Sequence, residues 1–181
     1  MLVIPISGKA GHGKDTVAEL IRLRLESDGK SVLVTHYADL LKYICRTFFG
    51  WNGEKDEAGR RLLQVVGTDI IRKEEPDFWV AFVIKILTMF RGYWDYVLIP
   101  DCRFPNEITY LREAGLQTLH VSVFRPNYEG NLTEEQKQHP SETALDDTEP
   151  DVLIINDGTI EQLSEDVVKF VKDLEEMTHE T

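Results

Sequence analysis

The chain has 181 residues, with 20 Lys/Arg against 32 Asp/Glu and a formal charge of −12. That balance argues against non-specific nucleic-acid binding, which needs a basic face, while the length suits a single domain spanning residues 1–181 with a full core. The excess is local: residues 1–127 carry 17 basic and 16 acidic side chains, whereas residues 128–181 carry 3 and 16.

Leu2–Ser7 is a short apolar run and reads as a buried strand. A glycine-rich turn follows, then a helix with Val17, Leu20, Ile21 and Leu25 at helical spacing, closed by Asp28-Gly29. Ser31–Tyr37 reads as a second strand, and Asp39 stands in N-cap position for a helix carrying Leu40, Leu41, Ile44 and Phe48. Trp51–Glu57 is a polar connection to a helix over Arg60–Lys73. Pro76-Asp77 opens a helix that is apolar nearly all round, which predicts burial. Tyr96–Pro100 is a third strand, Pro105 precedes a helix ending at Gly115, and Leu116–Phe124 is a fourth strand. Residues 126–150 are polar and acidic without a sustained period and read as a mobile loop or small lid. Val152–Ile155 is a fifth strand, and Thr159 with Gln162 forms a capping box before the last helix. The alternation predicts an α/β fold with a five-stranded parallel sheet between two helical layers. Cys45 and Cys102 form no disulfide framework, no apolar run is long enough to span a membrane, and no secretory signal is visible. A cytoplasmic protein is the expectation, with a homodimer left open.

The strongest motif is Gly8-Lys-Ala-Gly-His-Gly13-Lys14-Asp15-Thr16, a G-x-x-x-x-G-K loop between the first strand and first helix. Such a loop turns consecutive N–H groups inward around phosphate oxygens at a helix N-terminus, and its lysine supplies a point charge for the β- and γ-phosphates. Gly8, Ala10, Gly11, Gly13 and Lys14 are therefore expected to hold a nucleotide's phosphates, with Thr16 reaching an α-phosphate oxygen. His12 reads as a solvent-facing member of the same loop. Asp15 replaces the usual metal-contacting Ser/Thr; it either helps hold Mg²⁺ or caps the helix. Asp101 ends an apolar strand, where α/β sheets bind ligands, and reads as a second Mg²⁺-organising carboxylate. Arg103, two residues on, faces the same cleft.

Three further segments join this loop: Pro100-Asp-Cys-Arg-Phe-Pro-Asn-Glu107, His139-Pro-Ser-Glu-Thr-Ala-Leu145 and Ile155-Asn-Asp-Gly-Thr159. With Leu63–Arg72 and Asp77-Phe-Trp79 they closely resemble the bacteriophage-type deoxynucleoside monophosphate kinases over most of the chain. The resemblance implies a P-loop, nucleoside-monophosphate-kinase-like fold. It also implies transfer of the γ-phosphoryl group of ATP to a (deoxy)nucleoside monophosphate, in a cytoplasm that is a host's if the source is a phage. The animal-type phosphomevalonate kinases look like distant relatives and supply the alternative acceptor; a non-catalytic ATP-binding module is the alternative of another class.

A phosphate monoester acceptor is already an anion, so the chemistry needs cations and in-line geometry rather than a general base. Arg103 and Arg72 are the foremost candidates for its phosphate, with Lys42 and Arg61 behind them. Arg125, opening the lid, is expected to cover the transferring group or stack on adenine. Gln64 and Thr68 either read a base edge or form the polar face of an ordinary helix, and Asp39 either caps its helix or meets a substrate hydroxyl. His139, Ser141 and Glu142 match the lid motif, and Trp79 reads as core with base stacking as the alternative. Asn156 and Gly158 are expected to shape a purine pocket through their backbone. The acidic tail is expected to be a solvated outer face, leaving the cleft locally positive.

Overall fold

The chain's computed structural model describes residues 1–128, 130 and 132–179; two positions of the expected lid, Glu129 and Asn131, lie outside the described residues. Strand β1 (Leu2–Ser7) feeds the phosphate loop and helix α1 (Lys14–Ser27), followed by β2 (Val32–Val34) and α2 (Ala38–Phe49). Next come α3 (Glu57–Gln64), a π-helix (Val65–Arg72), α4 (Phe78–Met89), β3 (Tyr96–Ile99) and α5 (Asn106–Glu113). The chain then forms β4 (Gln117–Thr118), β5 (Val121–Phe124), α6 (Glu134–Lys137), α7 (Pro140–Thr143), β6 (Val152–Ile155) and α8 (Ile160–His179).

The sheet is parallel in the order β2-β3-β1-β5-β6, so β1 runs down its middle. Alternation within the strands sorts the two faces. Val3, Val97 and Ile99 join the core under α2, the π-helix, α4 and α5, whereas Ile4, Ile6, Tyr96 and Leu98 join the core under α1 and α8. Helices on both faces leave the carboxyl ends of the strands as the open rim, with the phosphate loop at its centre.

Three expectations need correction. The fourth strand is split: β1 pairs with β4 at Leu2–Val3 and with β5 at Ile6–Ser7, and the break at Leu119–His120 lies opposite Ile4–Pro5. Pro5 has no N–H to donate, so the ladder loses a bond there. The helix expected over Arg60–Lys73 starts at Glu57, capped by Asp56, and its second half widens, with the N–H of Lys73 reaching Thr68 O five residues back. Helix α4 is buried only along Trp79, Val80, Val83 and Leu87, while Phe82 is 44% and Met89 70% exposed. Its second apolar face is open.

No helix among the described residues is long and apolar enough to cross a membrane. The expected capping box of the last helix is present, Thr159 N–H donating to Gln162 Oε1 and Gln162 N–H to Thr159 Oγ1.

Candidate active site

The phosphate loop is held open by backbone that only glycine tolerates. Gly8 has φ +136°, and a Cβ there would stand 2.3 Å from the Val123 carbonyl oxygen. Gly13 has φ +99° and begins α1 with no side-chain cap, so the first N–H groups of the helix stay free for an anion. Asn156 Nδ2 donates to His12 O at 3.0 Å and closes on Gly13 from outside. Asn156 therefore braces the loop and does not line the cleft; Gly158 packs against Gln162. His12 is 7% exposed, not solvent-facing. Its Nδ1 lies 3.3 Å from both Val123 O and Arg125 N, and its ring meets Phe124 and Tyr128 edge-on.

Lys14 folds back over the loop, donating to Gly8 O at 2.6 Å and Lys9 O at 2.9 Å. Burial, then the neighbouring Arg103 charge, lowers its pKa to about 8. These two carbonyls occupy the ammonium. Asp15 follows at the helix start with an exposed carboxylate, held below its ordinary range by His36, whose Nε2 is 3.8 Å away. The same contact raises His36.

Across the loop lies a cleft of about 410 Å³. Ala10, Gly11, Lys14 and Asp15 form its phosphate-loop end, and Asp101 and Arg103 stand beyond the end of β3. Lys42, Gln64, Thr68, Arg72 and Trp79 line the far wall, and Ser141 and Glu142 of the lid cover it. Its charged side chains are six Lys/Arg against four Asp/Glu, so the cleft is locally positive among the described residues.

Asp101 does structural work as well as facing the cleft. Its two oxygens accept the N–H groups of Tyr37 and Ala38 at 2.9 and 3.0 Å, which caps α2. Asp39 is consequently not the N-cap. It sits in the first turn, accepting from His36 N–H at 3.0 Å and Lys42 Nζ at 2.9 Å, outside the cleft lining.

Arg72 is pinned on one side. Its guanidinium stacks on Phe104 at 3.8 Å, Nη1 donates to Pro76 O and Asn106 Oδ1, and Nη2 meets Glu107 Oε1 at 2.5 Å. The Nε–H and one Nη2 hydrogen remain, on a side chain that still lines the cleft. Arg103 Nη1 donates to Ser141 O at 2.8 Å and to the Glu142 carboxylate. The other Glu142 oxygen accepts the Ala10 N–H at 3.0 Å, and Lys9 ties Glu142 O and Asp146 to the loop. The acidic tail is therefore not wholly an outer face; Glu142 enters the cleft.

Four other expected positions fall elsewhere. Arg61 is exposed, and Arg60 takes its place on the cleft wall. Arg125 stacks on Tyr128 at 4.9 Å outside the lining. Thr16 is exposed beyond the cleft. His139 is the N-cap of α7, accepting from Ser141 N, and its buried Nε2 has no hydrogen-bond partner among the described residues. Residues not foreseen include Arg60, His36, Phe104, Glu107 and Tyr128. The spacing Arg60-Gln64-Thr68-Arg72 carried a signal for the first. His36 follows β2 at a strand's carboxyl end, which was a signal too.

Mg²⁺ fits these residues in the manner usual for phosphate-transfer sites, with one or two carboxylates and the rest phosphate and water. Asp15 offers an exposed carboxylate beside Lys14, and each Asp101 oxygen keeps a second lone pair. No group of three or more protein ligands is assembled among the described residues.

The family described as deoxynucleotide monophosphate kinase matches residues 29–167. The deoxynucleotide monophosphate kinase of Enterobacteria phage T4 is 33% identical over 123 residues, 67% of this chain and 48% of that protein. A protein of Acanthamoeba polyphaga mimivirus is 27% identical over 98% of this chain and 100% of its own. The phosphomevalonate kinase of Drosophila melanogaster is 27% identical over 93% of this chain and 95% of its own. The chain thus spans about half the length of the phage enzymes it matches. The Mycobacterium tuberculosis APS kinase CysC, solved with AMPPNP and APS, superposes at TM-score 0.53 with 15% identity, over 94% of this chain and 96% of that one. That likeness is one of fold. The family match begins after the phosphate loop and runs through the cleft wall and lid into α8, so loop and match are separate observations, and the chain belongs to the deoxynucleotide monophosphate kinase family.

Proposed function

We propose that this chain transfers the γ-phosphoryl group of ATP to a (deoxy)nucleoside monophosphate, giving the diphosphate. The observation that carries the reading is the position of Arg103. It lines the same cleft as the phosphate loop and Lys14, close enough to Lys14 to lower its pKa, while Arg72 lines the acceptor wall. Two anions must meet for phosphoryl transfer, and this cleft supplies cations on both sides of the meeting point.

In this reading the loop N–H groups and Lys14 hold the β- and γ-phosphates, Lys14 leaving the Gly8 and Lys9 carbonyls to do so. Arg103 spans donor and acceptor and neutralises charge on the equatorial oxygens. Arg72 takes the acceptor phosphate with its remaining N–H groups. Gln64 and Thr68, each able to donate and accept, face the base, with Trp79 and Leu41 as the apolar wall. Asp15 and Asp101 would hold Mg²⁺, which screens the phosphate charge when bound. The lid, tied down by Lys9 at the Glu142 carbonyl and by Arg103 at the Ser141 carbonyl, excludes water, a competing acceptor.

A coupled ADP-release assay over all dNMPs, NMPs and phosphomevalonate tests the assignment. Turnover with at least one nucleoside monophosphate is expected. Turnover with phosphomevalonate alone would replace the acceptor, and ATP binding without turnover would leave a binding module.

A further inference from the structure

The most deeply buried carboxylate of the site is one that touches neither end of the expected reaction. Glu107, in the first turn of α5, is 2% exposed. Its Oε2 accepts the N–H of Arg103 at 2.7 Å and of Phe104 at 3.1 Å, and its Oε1 takes Arg72 Nη2 at 2.5 Å. One side chain thereby joins the loop after β3 to the π-helix. Burying a carboxylate is costly unless its lone pairs are met, and three donors here meet them. An apolar residue would fill the same volume without that cost. A core position does not need this carboxylate; a fixed guanidinium does.

The surroundings show what is fixed. Phe104, whose N–H Glu107 accepts, lays its ring against the Arg72 guanidinium at 3.8 Å. Asn106 Oδ1 and Pro76 O hold Nη1 from the side. The plane of Arg72 is thus set by a stacking partner beneath it and acceptors along one edge. A free arginine side chain gives up rotamer entropy when it binds, a loss that a pre-set plane has already taken. Gln64, at the end of α3, and Thr68 and Arg72, in the π-helix, all line the cleft wall.

We propose that Glu107 is the positioning residue of the acceptor phosphate site: it orients Arg72 and, through the N–H of Arg103, fixes the backbone from which the second arginine reaches the cleft. The acceptor is an anionic phosphate monoester. This rests on the phosphotransferase reading above, and the controls separate the two.

The charged form of Glu107 is what orients Arg72. Burial pushes its carboxyl up to about 7 against the pull of Arg72 and the two N–H groups. The titratable groups facing it are Arg72 from the π-helix, Asp101 and Cys102 from the loop after β3, and Tyr37 just before α2, while Arg103 meets it through its backbone N–H. Acidification through neutrality should therefore loosen the acceptor site, and a variant without the carboxylate should lose that component of the pH profile.

The test is steady-state kinetics on the full chain with ATP, Mg²⁺ and the best nucleoside monophosphate found in the panel. Glu107→Gln should raise the acceptor KM about tenfold or more while the ATP KM stays within about twofold. In the Arg72→Gln background it should add less than about twofold, because the two side chains act as one unit. The acceptor kcat/KM of the unaltered protein should fall as pH drops through about 7, beyond the fall from the acceptor's own second ionisation. The Gln variant should show only the latter. Equal effects on both KM values, or full additivity with Arg72→Gln, would overturn the proposal. If Glu107→Gln does not fold, Phe104→Leu removes the stacking face alone and should raise the acceptor KM about threefold; an unchanged value would overturn it. An unaltered protein inactive on every nucleoside monophosphate would instead refute the underlying reading.

Discussion

The carboxylate of Glu142, on the lid, accepts the N–H of Ala10, on the phosphate loop, at 3.0 Å. Its other oxygen meets Arg103, so one anionic side chain occupies a loop donor and a cleft guanidinium together. An N–H of a phosphate loop beside an arginine is the environment a phosphoryl oxygen would take. Phosphate must therefore displace Glu142 from Ala10. Glu142→Gln should bind ATP about three- to tenfold more tightly by titration calorimetry, since a neutral amide competes less well for both donors. Unchanged affinity would mean that phosphate and Glu142 do not share these groups.

Lys14 is expected to gain a proton when nucleotide binds. Its pKa of about 8 leaves about half of it neutral at pH 8, and a polyphosphate favours the ammonium form. Calorimetry at pH 8 in buffers of different ionisation enthalpy should show uptake of roughly half a proton per ATP, falling towards zero at pH 6.5. Lys14→Ala should abolish the uptake. Proton release at pH 8 would contradict the sign.

Arg103→Gln should lower kcat about 10²–10³-fold, with a smaller change in either KM. The charge it supplies matters most when negative charge is spread between donor and acceptor. A loss confined to the ATP KM would place Arg103 on the donor phosphates only.

Gly8→Ala should destabilise the fold by about 3 kcal/mol, combining a φ of +136° with a Cβ 2.3 Å from Val123 O. For a chain of this size that is a fall in Tm of about 6–12 °C. An unaltered Tm would show that β5 moves aside freely.

The fold was legible because its signals are local. Leu2–Ser7 is a run only a doubly covered strand accommodates, and the glycine pattern between it and Val17 specifies a phosphate loop. The acceptor side was legible as residue types but not as geometry. The shift from Arg61 to Arg60 follows from a helix that starts at Glu57 and widens after Gln64, and no propensity marks a π-helix. Asp101 was identified from its strand end; its capping of Tyr37 and Ala38 depends on a contact 63 and 64 residues away in sequence. His12 and Asn156 stand next to motifs in sequence, whereas packing turns them against the back of the loop, and Arg125 stacks on Tyr128 at the edge of the cleft. Glu107 was in the quoted motif without a role, because a buried carboxylate declares itself only through its donors.

Incubation with γ-³²P-labelled ATP, Mg²⁺ and each dNMP, followed by separation of the products, tests the central claim most directly. Label in a deoxynucleoside diphosphate is expected with the unaltered protein and not with Lys14→Ala. Label only in free phosphate, or remaining in ATP with every dNMP and NMP, would contradict it.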